Sequence, residues 1–221
     1  MVVQTCLFVA LLGAVLFASA GDWRWSEAWI YLGEMLAFSL ALGFWLSGYD
    51  RDLLASRLTS PVHRDQTAWD RVFMAIAFLA FFGWLALMGL DAGRFGWSDM
   101  PVFLELIGLI LIALCMLICW RTFHANTFAA PQVRLQSRRG HQVVTSGPYR
   151  LVRHPMYAGV LLYFLGVPLL LGSWCGFVLF PIFAIGLGIR ALGEERLLRS
   201  RLTDYDIYTR RVRFRFVPYI W

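Results

Sequence analysis

The chain has 221 residues, of which 59% are hydrophobic and 15% charged, with a mean hydropathy of +0.62. A water-soluble fold of this size has too little interior to hide that much apolar surface, and the exposed remainder would aggregate. The composition therefore excludes a soluble globular chain and points to the bilayer as solvent. The formal charge of +6 calls for no nucleic acid, because basic residues gathered on one membrane face are an ordinary topology signal and also attract anionic headgroups.

Apolar runs of membrane-crossing length follow one another along the chain. They cover residues 2–20, 28–48, 72–90, 102–120, 156–171 and 174–192, against the roughly 20 residues a straight helix needs to cross the hydrocarbon core. The sequence thus predicts an all-α polytopic membrane protein of about six transmembrane helices. The first run ends in Ala18-Ser19-Ala20, which resembles a signal-peptidase site. It lacks a basic leader and is long for a cleaved segment, so an uncleaved helix is expected. The fifth run is short and contains Pro168. Only Gly172 and Ser173 part it from the sixth, which makes the two a helical hairpin.

There is no lysine, so arginine sets the topology. With six spans, residues 49–71, 121–155 and 190–221 share one face and carry eighteen of the twenty basic residues, leaving Arg24 and Arg94 opposite. The positive-inside rule then puts both termini in the cytoplasm.

Residues 1–125 read as a scaffold of four helices. The 49–71 loop alternates charge with leucine, as an interfacial amphipathic helix does. Gly93, Gly96 and Pro101 punctuate a turn before the fourth run. Trp23, Trp25, Trp29, Trp97 and Trp174 fall at the outer boundaries, forming an aromatic belt. Glu34 and Glu105 lie inside apolar runs but within reach of that boundary, and structural roles are expected for both. Cys6, Cys115, Cys119 and Cys175 have neither metal-ligand nor disulfide spacing, and His63, His124, His141 and His154 show no ligand pattern, so no metal is expected.

Residues 126–221 differ in character: a polar, basic segment, the hairpin, and a charged tail ending Phe-Val-Pro-Tyr-Ile-Trp. No phosphate loop or zinc helix is present, and Gly186-Leu187-Gly188 suits helix packing through small residues. In the 139–157 stretch, Val143-Val144-Thr145 reads as extended and Ser146-Gly147-Pro148 as a turn. Pro155 suits the first turn of a membrane helix, and His154 before it is pushed out of helical conformation. The open N–H groups of that helix start, with Arg150 and Arg153 beside them, suit an anion such as a carboxylate or phosphate. Equally, the stretch is a membrane-entry turn whose arginines meet headgroups. Further on, Arg190 and Glu194 are four apart on one helix face. The adjacent acids Glu194 and Glu195 suit a ligand bearing hydroxyls and a positive centre.

Together these pieces resemble the isoprenylcysteine carboxyl methyltransferase family. The resemblance rests on Gly-Pro-Tyr-Arg-x-Val-Arg-His-Pro-x-Tyr at 147–157, Glu-Glu-x-x-Leu at 194–198, Tyr205 with Tyr208, and Pro-x-x-Trp at 218–221. It covers about the last hundred residues; the first 120 match in hydropathy alone. The family resemblance implies a membrane methyltransferase using S-adenosylmethionine, held in a cytoplasm-facing pocket formed by the polar segments and the hairpin. It implies that Tyr149, His154, Pro155 and Tyr157 line the cofactor site, with Tyr205 and Tyr208 of the matching tail. Glu194 and Glu195 would contribute on the other side, and Arg190 and Glu194 would stand nearest the reaction.

The implied acceptor is lipid-like and enters from the membrane: a prenylated small molecule or protein, methylated on a carboxylate. A phospholipid amine is an alternative and would require a base, for which Glu194 is the candidate. A membrane reductase of the sterol type, whose similar Arg-His-Pro-x-Tyr segment serves NADPH, is another, and a non-catalytic membrane component ranks last.

Overall fold

A computed structural model describes residues 1–58, 68–126, 143–202 and 204–221. Among these residues the chain is helical, with no strand. In order come α1 (Val2–Ala20), α2 (Ser26–Tyr49), a short α3 (Arg51–Leu58), α4 (Ala68–Met88), α5 (Val102–Ala125), α6 (Pro155–Leu170), α7 (Phe180–Arg201) and α8 (Tyr205–Arg211). A π-helical turn, Gly89–Phe95, prolongs α4, and a 3-10 segment, Cys175–Leu179, leads into α7. Residues 59–67 of the 49–71 loop, and the 127–142 part of the polar segment with His141, Arg134, Arg138 and Arg139, lie outside the described residues, as does His63; the loop's last residues, 68–71, open α4.

Five helical stretches are long and apolar enough to cross a bilayer: Val2–Ala20, Ser26–Tyr49, Arg71–Phe95, Val102–Ala125 and Cys175–Arg201. The sixth, α6, is short as expected: its 16 residues rise about 24 Å against a core of about 30 Å. The helices are apolar all round, because lipid covers the faces that protein does not. Val3, Leu79 and Val178 are exposed, while Leu16, Tyr31, Trp84, Leu85, Ile112 and Val167 form the buried centre.

Helices in lipid gain nothing from hiding apolar surface, so close backbone packing decides which of them pair. α5 and α6 pair through glycine. A Cβ on Gly108 would lie 2.4 Å from the Leu170 amide nitrogen, and one on Gly166 would lie 2.8 Å from the Gly108 carbonyl oxygen. Further along, Gly159 lies against Cys115, and Gly147 against Ala125. α6 and the turn before it therefore run antiparallel along most of α5, so the short helix still reaches nearly as deep as its long neighbour.

The hairpin turn is fixed from outside. Gly172 has φ 71°, in the left-handed region, and the Ser173 N–H returns to the Pro168 carbonyl. Asp91, fully buried, accepts on Oδ2 from Ser98 Oγ (2.7 Å), Ser173 Oγ (2.5 Å) and the Cys175 N–H (3.2 Å). Trp84 Nε1 donates to the Gly176 carbonyl at 2.7 Å. Where the sequence suggested a plain turn after residue 90, the helix continues through the π-helical segment. That continuation brings Asp91 inward to its three donors, and Gly93 seats closely against Ala20. Trp23, Trp29, Trp97 and Trp174 are exposed around this end. Glu34 lies one turn beyond Tyr31, whose hydroxyl bonds to that of Tyr163 across the α2–α6 contact. None of the four cysteines is in a disulfide, and among the described residues no cluster of three potential ligands could hold a metal.

Candidate functional site

At the opposite end of the hairpin, the start of α6 meets the last turns of α7 and the C-terminal segment. Gly147, at φ 57°, opens the 3-10 turn Gly147–Arg150, and Pro155 takes the first helical position of α6. His154, with φ −126° and ψ 69°, stays outside the helical region, as a residue preceding proline does. The N–H groups of Arg153 and His154 therefore have no partner within α6. They bond instead to the carbonyls of Phe214 and Arg215, both at 2.9 Å, which lays the tail alongside the entry segment.

The side chains converge on Glu195, which is 3% exposed. Its Oε1 lies 3.0 Å from Arg153 Nε, 3.2 Å from His154 Nε2 and 3.2 Å from Arg215 Nε. Its Oε2 lies 3.3 Å from Arg215 Nη2. A buried carboxylate is tolerated when paired and hydrogen-bonded in this way. Arg153 is itself 7% exposed. Burial draws its guanidinium below the usual arginine range, and the neighbouring Glu195 charge opposes that pull.

Glu194, adjacent in sequence, is placed quite differently. Its side chain is 32% exposed. Oε2 accepts from the Tyr157 hydroxyl at 3.0 Å and lies 3.7 Å from His154 Nδ1. The His154 and Tyr157 rings stack at 5.3 Å between centroids, and Phe216 closes edge-on against both. Trp221 covers Arg215, with 4.8 Å between guanidinium carbon and ring centroid, and rests on Gly188 of α7.

The three tyrosines form a buttress beside this cluster. Tyr208 donates to the Tyr149 carbonyl at 2.8 Å, and Asn126 Nδ2 donates to the Tyr149 hydroxyl at 2.7 Å. Tyr205 and Tyr208 are buried with Val212 against Leu198 and Leu202. Burial, with the Glu195 charge adding to it, holds the Tyr205 phenol above its usual range, and burial does the same for Tyr208. Both phenols stay neutral, Tyr208 as the donor to the Tyr149 carbonyl.

Of the residues singled out from the sequence, Arg153, His154, Tyr157, Glu194 and Glu195 are in mutual contact, with Pro155 setting the helix start. Tyr149, Tyr205 and Tyr208 are one layer away, and Arg150 is exposed at the edge. Arg190 is buried and turns toward α4: its Nη1 is 2.9 Å from Met74 Sδ and its guanidinium lies over the Phe73 ring at 5.4 Å. Glu194, four residues on, makes its contacts with α6. Sequence reasoning missed Arg215, Phe216 and Asn126 and gave Trp221 no part in the site. The tail did carry a signal: Val212, Phe214 and Phe216 alternate with Arg211, Arg213 and Arg215, the period-2 pattern of an extended segment with one apolar face.

Residues 103–203, from the start of α5 to the end of α7, match the family model for phospholipid methyltransferase. The chain is also similar to the uncharacterized protein YpbQ of Bacillus subtilis (strain 168), at 39% identity over 62 residues. That stretch is 28% of this chain and spans 37% of the relative.

Proposed function

We propose that this protein is an integral membrane methyltransferase that uses S-adenosylmethionine to methylate a lipid-like acceptor, with a carboxylate of the isoprenylcysteine type as the leading substrate class. The observation that carries this reading is the pairing of the partly exposed Glu194 with the His154–Tyr157 ring stack, inside the region that matches the methyltransferase family. When bound, S-adenosylmethionine supplies a methyl group activated on a sulfonium. The donor set suits it: an accessible acid for its positive and hydroxyl groups, aromatic faces beside that acid, and the exposed Arg150 for its carboxylate.

The chain's own work is to bind, orient and keep water out, which is what an in-line displacement requires of a protein. Tyr149, Arg150, Arg153, His154, Pro155 and Tyr157 form one wall, Glu194 and Glu195 the other, with Tyr205 and Tyr208 bracing both. A carboxylate acceptor is already nucleophilic, and Arg190 orients it by its charge. In this reading residues 126–221 carry the chemistry on a scaffold formed by 1–125, and the arginine-rich face, with both termini, lies in the cytoplasm.

Phospholipid amine methylation is the second reading, in keeping with the description of the family model that 103–203 matches. There Glu194 Oε2, next to Tyr157, takes the proton that the amine must lose. Membranes holding the protein should incorporate methyl label from S-adenosylmethionine into extractable lipid. Mild alkali should release that label as methanol if it sits on a carboxyl ester and leave it in place if it sits on nitrogen. Absence of any transfer above that of an Arg190→Ala, Glu194→Ala variant would overturn the methyltransferase reading.

A further inference from the structure

At the turn of the hairpin, α4 and the segment leading into α7 touch closely. Trp84 Nε1 donates to the Gly176 carbonyl at 2.7 Å, and a Cβ on Gly176 would lie 2.8 Å from Met88 Sδ. Farther along α7 the contact thins to side-chain tips. Gly186 and Gly188 suit helix packing through small residues, yet no other helix backbone comes within 4 Å of either among the described residues. A Cβ on Gly186 would find only the Phe73 ring of α4, at 3.7 Å, and one on Gly188 only the Trp221 ring, at 3.3 Å. From the Trp84–Phe183 ring contact to the Phe73–Gly186 contact, α4 advances eleven residues and α7 three, roughly 16 Å against about 5 Å. Helices lying side by side would advance equally. These two diverge, and a seam opens between them toward the arginine-rich end.

The walls of the seam are apolar and its end is cationic. Phe73 and Ala77 stand one turn apart on α4, and Gly186 and Arg190 one turn apart on α7. At Ala77 and Gly186 the walls carry almost no side chain, and the Phe73 ring rests on Gly186 at ordinary van der Waals separation. Arg190 is 7% exposed and lies within a stretch apolar enough to cross a bilayer. An ionisable side chain so placed marks a ligand path. Two of the groups that meet it are uncharged: Met74 Sδ, 2.9 Å from Nη1, and the face of Phe73. A thioether is a weak acceptor, so a carboxylate or phosphate oxygen is the stronger partner for the same N–H. A lipid chain gains little by leaving the bilayer for an apolar seam. The anion therefore supplies the bias, and the seam supplies the shape.

We propose that the α4–α7 seam, floored by Gly186 and closed by the Phe73 ring, takes the apolar chain of an anionic lipid acceptor whose head exchanges with Met74 Sδ on Arg190. This rests on the methyltransferase reading above, and Glu194 stands one turn beyond Arg190. The test is photo-crosslinking of detergent-solubilised protein with two probes, each carrying a diazirine on its chain: N-acetyl-S-farnesylcysteine and a phosphatidylethanolamine. Labelled peptides are mapped with and without excess unlabelled compound, and S-adenosylhomocysteine is titrated in parallel. Label that the unlabelled compound displaces should fall on the peptides holding Phe73–Ala77 and Gly186–Arg190, and the probe that gives it identifies the head as carboxylate or phosphate.

Gly186→Leu fills the slot and should cut the displaceable label about tenfold or more, as one lost chain contact of this size does. Gly186→Ala adds a methyl group at ordinary contact distance from Phe73 and should label as wild type does. Ala77→Leu narrows the seam from the α4 side and decides by the same criterion should Gly186→Leu fail to fold. Displaceable label confined to other helices, or undiminished in the leucine variants, would overturn the proposal. So would loss of S-adenosylhomocysteine binding in step with the label in both leucine variants, which is what a structural disturbance gives. A wild-type protein that takes label in the seam but binds no S-adenosylhomocysteine would overturn the methyltransferase reading while supporting a lipid site between α4 and α7.

Discussion

Each end of the α6–α7 hairpin is organised by a buried carboxylate, and the two are solvated by the protein in opposite ways. Asp91, at the turn, is met by neutral donors: two serine hydroxyls and a backbone N–H. Those donors come from the loop before α5 and from the turn itself, so the cluster acts as a staple between α4 and the hairpin. Glu195, at the open end, is met by two guanidinium groups and an imidazole drawn from two separate chain segments, Arg153-His154 before α6 and Arg215 in the tail. Beside it stands a second acid, Glu194, which keeps about a third of its surface exposed. A closed neutral network holds a turn. A charged network that leaves one acid accessible holds a site in register for something else.

The comparison can be broken or sharpened by substitution. The largest effect is expected for Glu195→Ala, which leaves the buried Arg153 and the half-buried Arg215 without their counter-charge. A loss of about 3–5 kcal/mol is usual for breaking a buried pair from one side, and it should appear as a large drop in melting temperature in detergent, together with loss of S-adenosylhomocysteine binding. Asp91→Ala comes next. It strands the Ser98 and Ser173 hydroxyls and the Cys175 N–H, at about 1–3 kcal/mol for a buried group left unsatisfied. Its melting temperature should fall, yet the folded protein should bind S-adenosylhomocysteine as wild type does; a matching fall in affinity would show that the turn and the site are not separate.

Glu194→Gln should do the reverse. As a partly exposed substitution it should shift stability by no more than about 0.5 kcal/mol while weakening S-adenosylhomocysteine binding about tenfold. The smallest effect belongs to Tyr157→Phe, which removes one hydrogen bond to Glu194 and keeps the ring stack. A loss of about 0.5–1.5 kcal/mol in binding is expected, measured by the same titration. If Tyr157→Phe exceeded Glu194→Gln, the acid would not be the principal contact.

Much of this was legible in the sequence because lipid imposes simple rules on length and composition. Residues 2–20 were read as helix and form α1, Pro155 starts α6 with His154 outside it, and Gly172-Ser173 turns the hairpin. The gathering of Arg153, His154, Tyr157, Glu194 and Glu195 followed from placing two polar segments at the same end of that hairpin. Three features were hidden. Hydropathy is alike on lipid-facing and protein-facing sides of a helix, so nothing announced that Arg190 would turn to Met74 and Phe73 on α4. The π-helical turn that carries Asp91 inward depends on partners up to 84 residues away, which no local pattern encodes. Arg215 read as one more basic residue in an arginine-rich tail, because its partner depends on how the 212–216 segment pairs with residues 153–154.

The central claim is that the open end of the hairpin is a site for a sulfonium cofactor and not for a nicotinamide. Purified protein in detergent, titrated calorimetrically with S-adenosylhomocysteine and separately with NADPH, tests it most directly. The account predicts saturable binding of S-adenosylhomocysteine, weakened in Glu194→Gln, and no saturable heat from NADPH. Saturable binding of NADPH with none of S-adenosylhomocysteine would contradict it and move the chain to the membrane reductases.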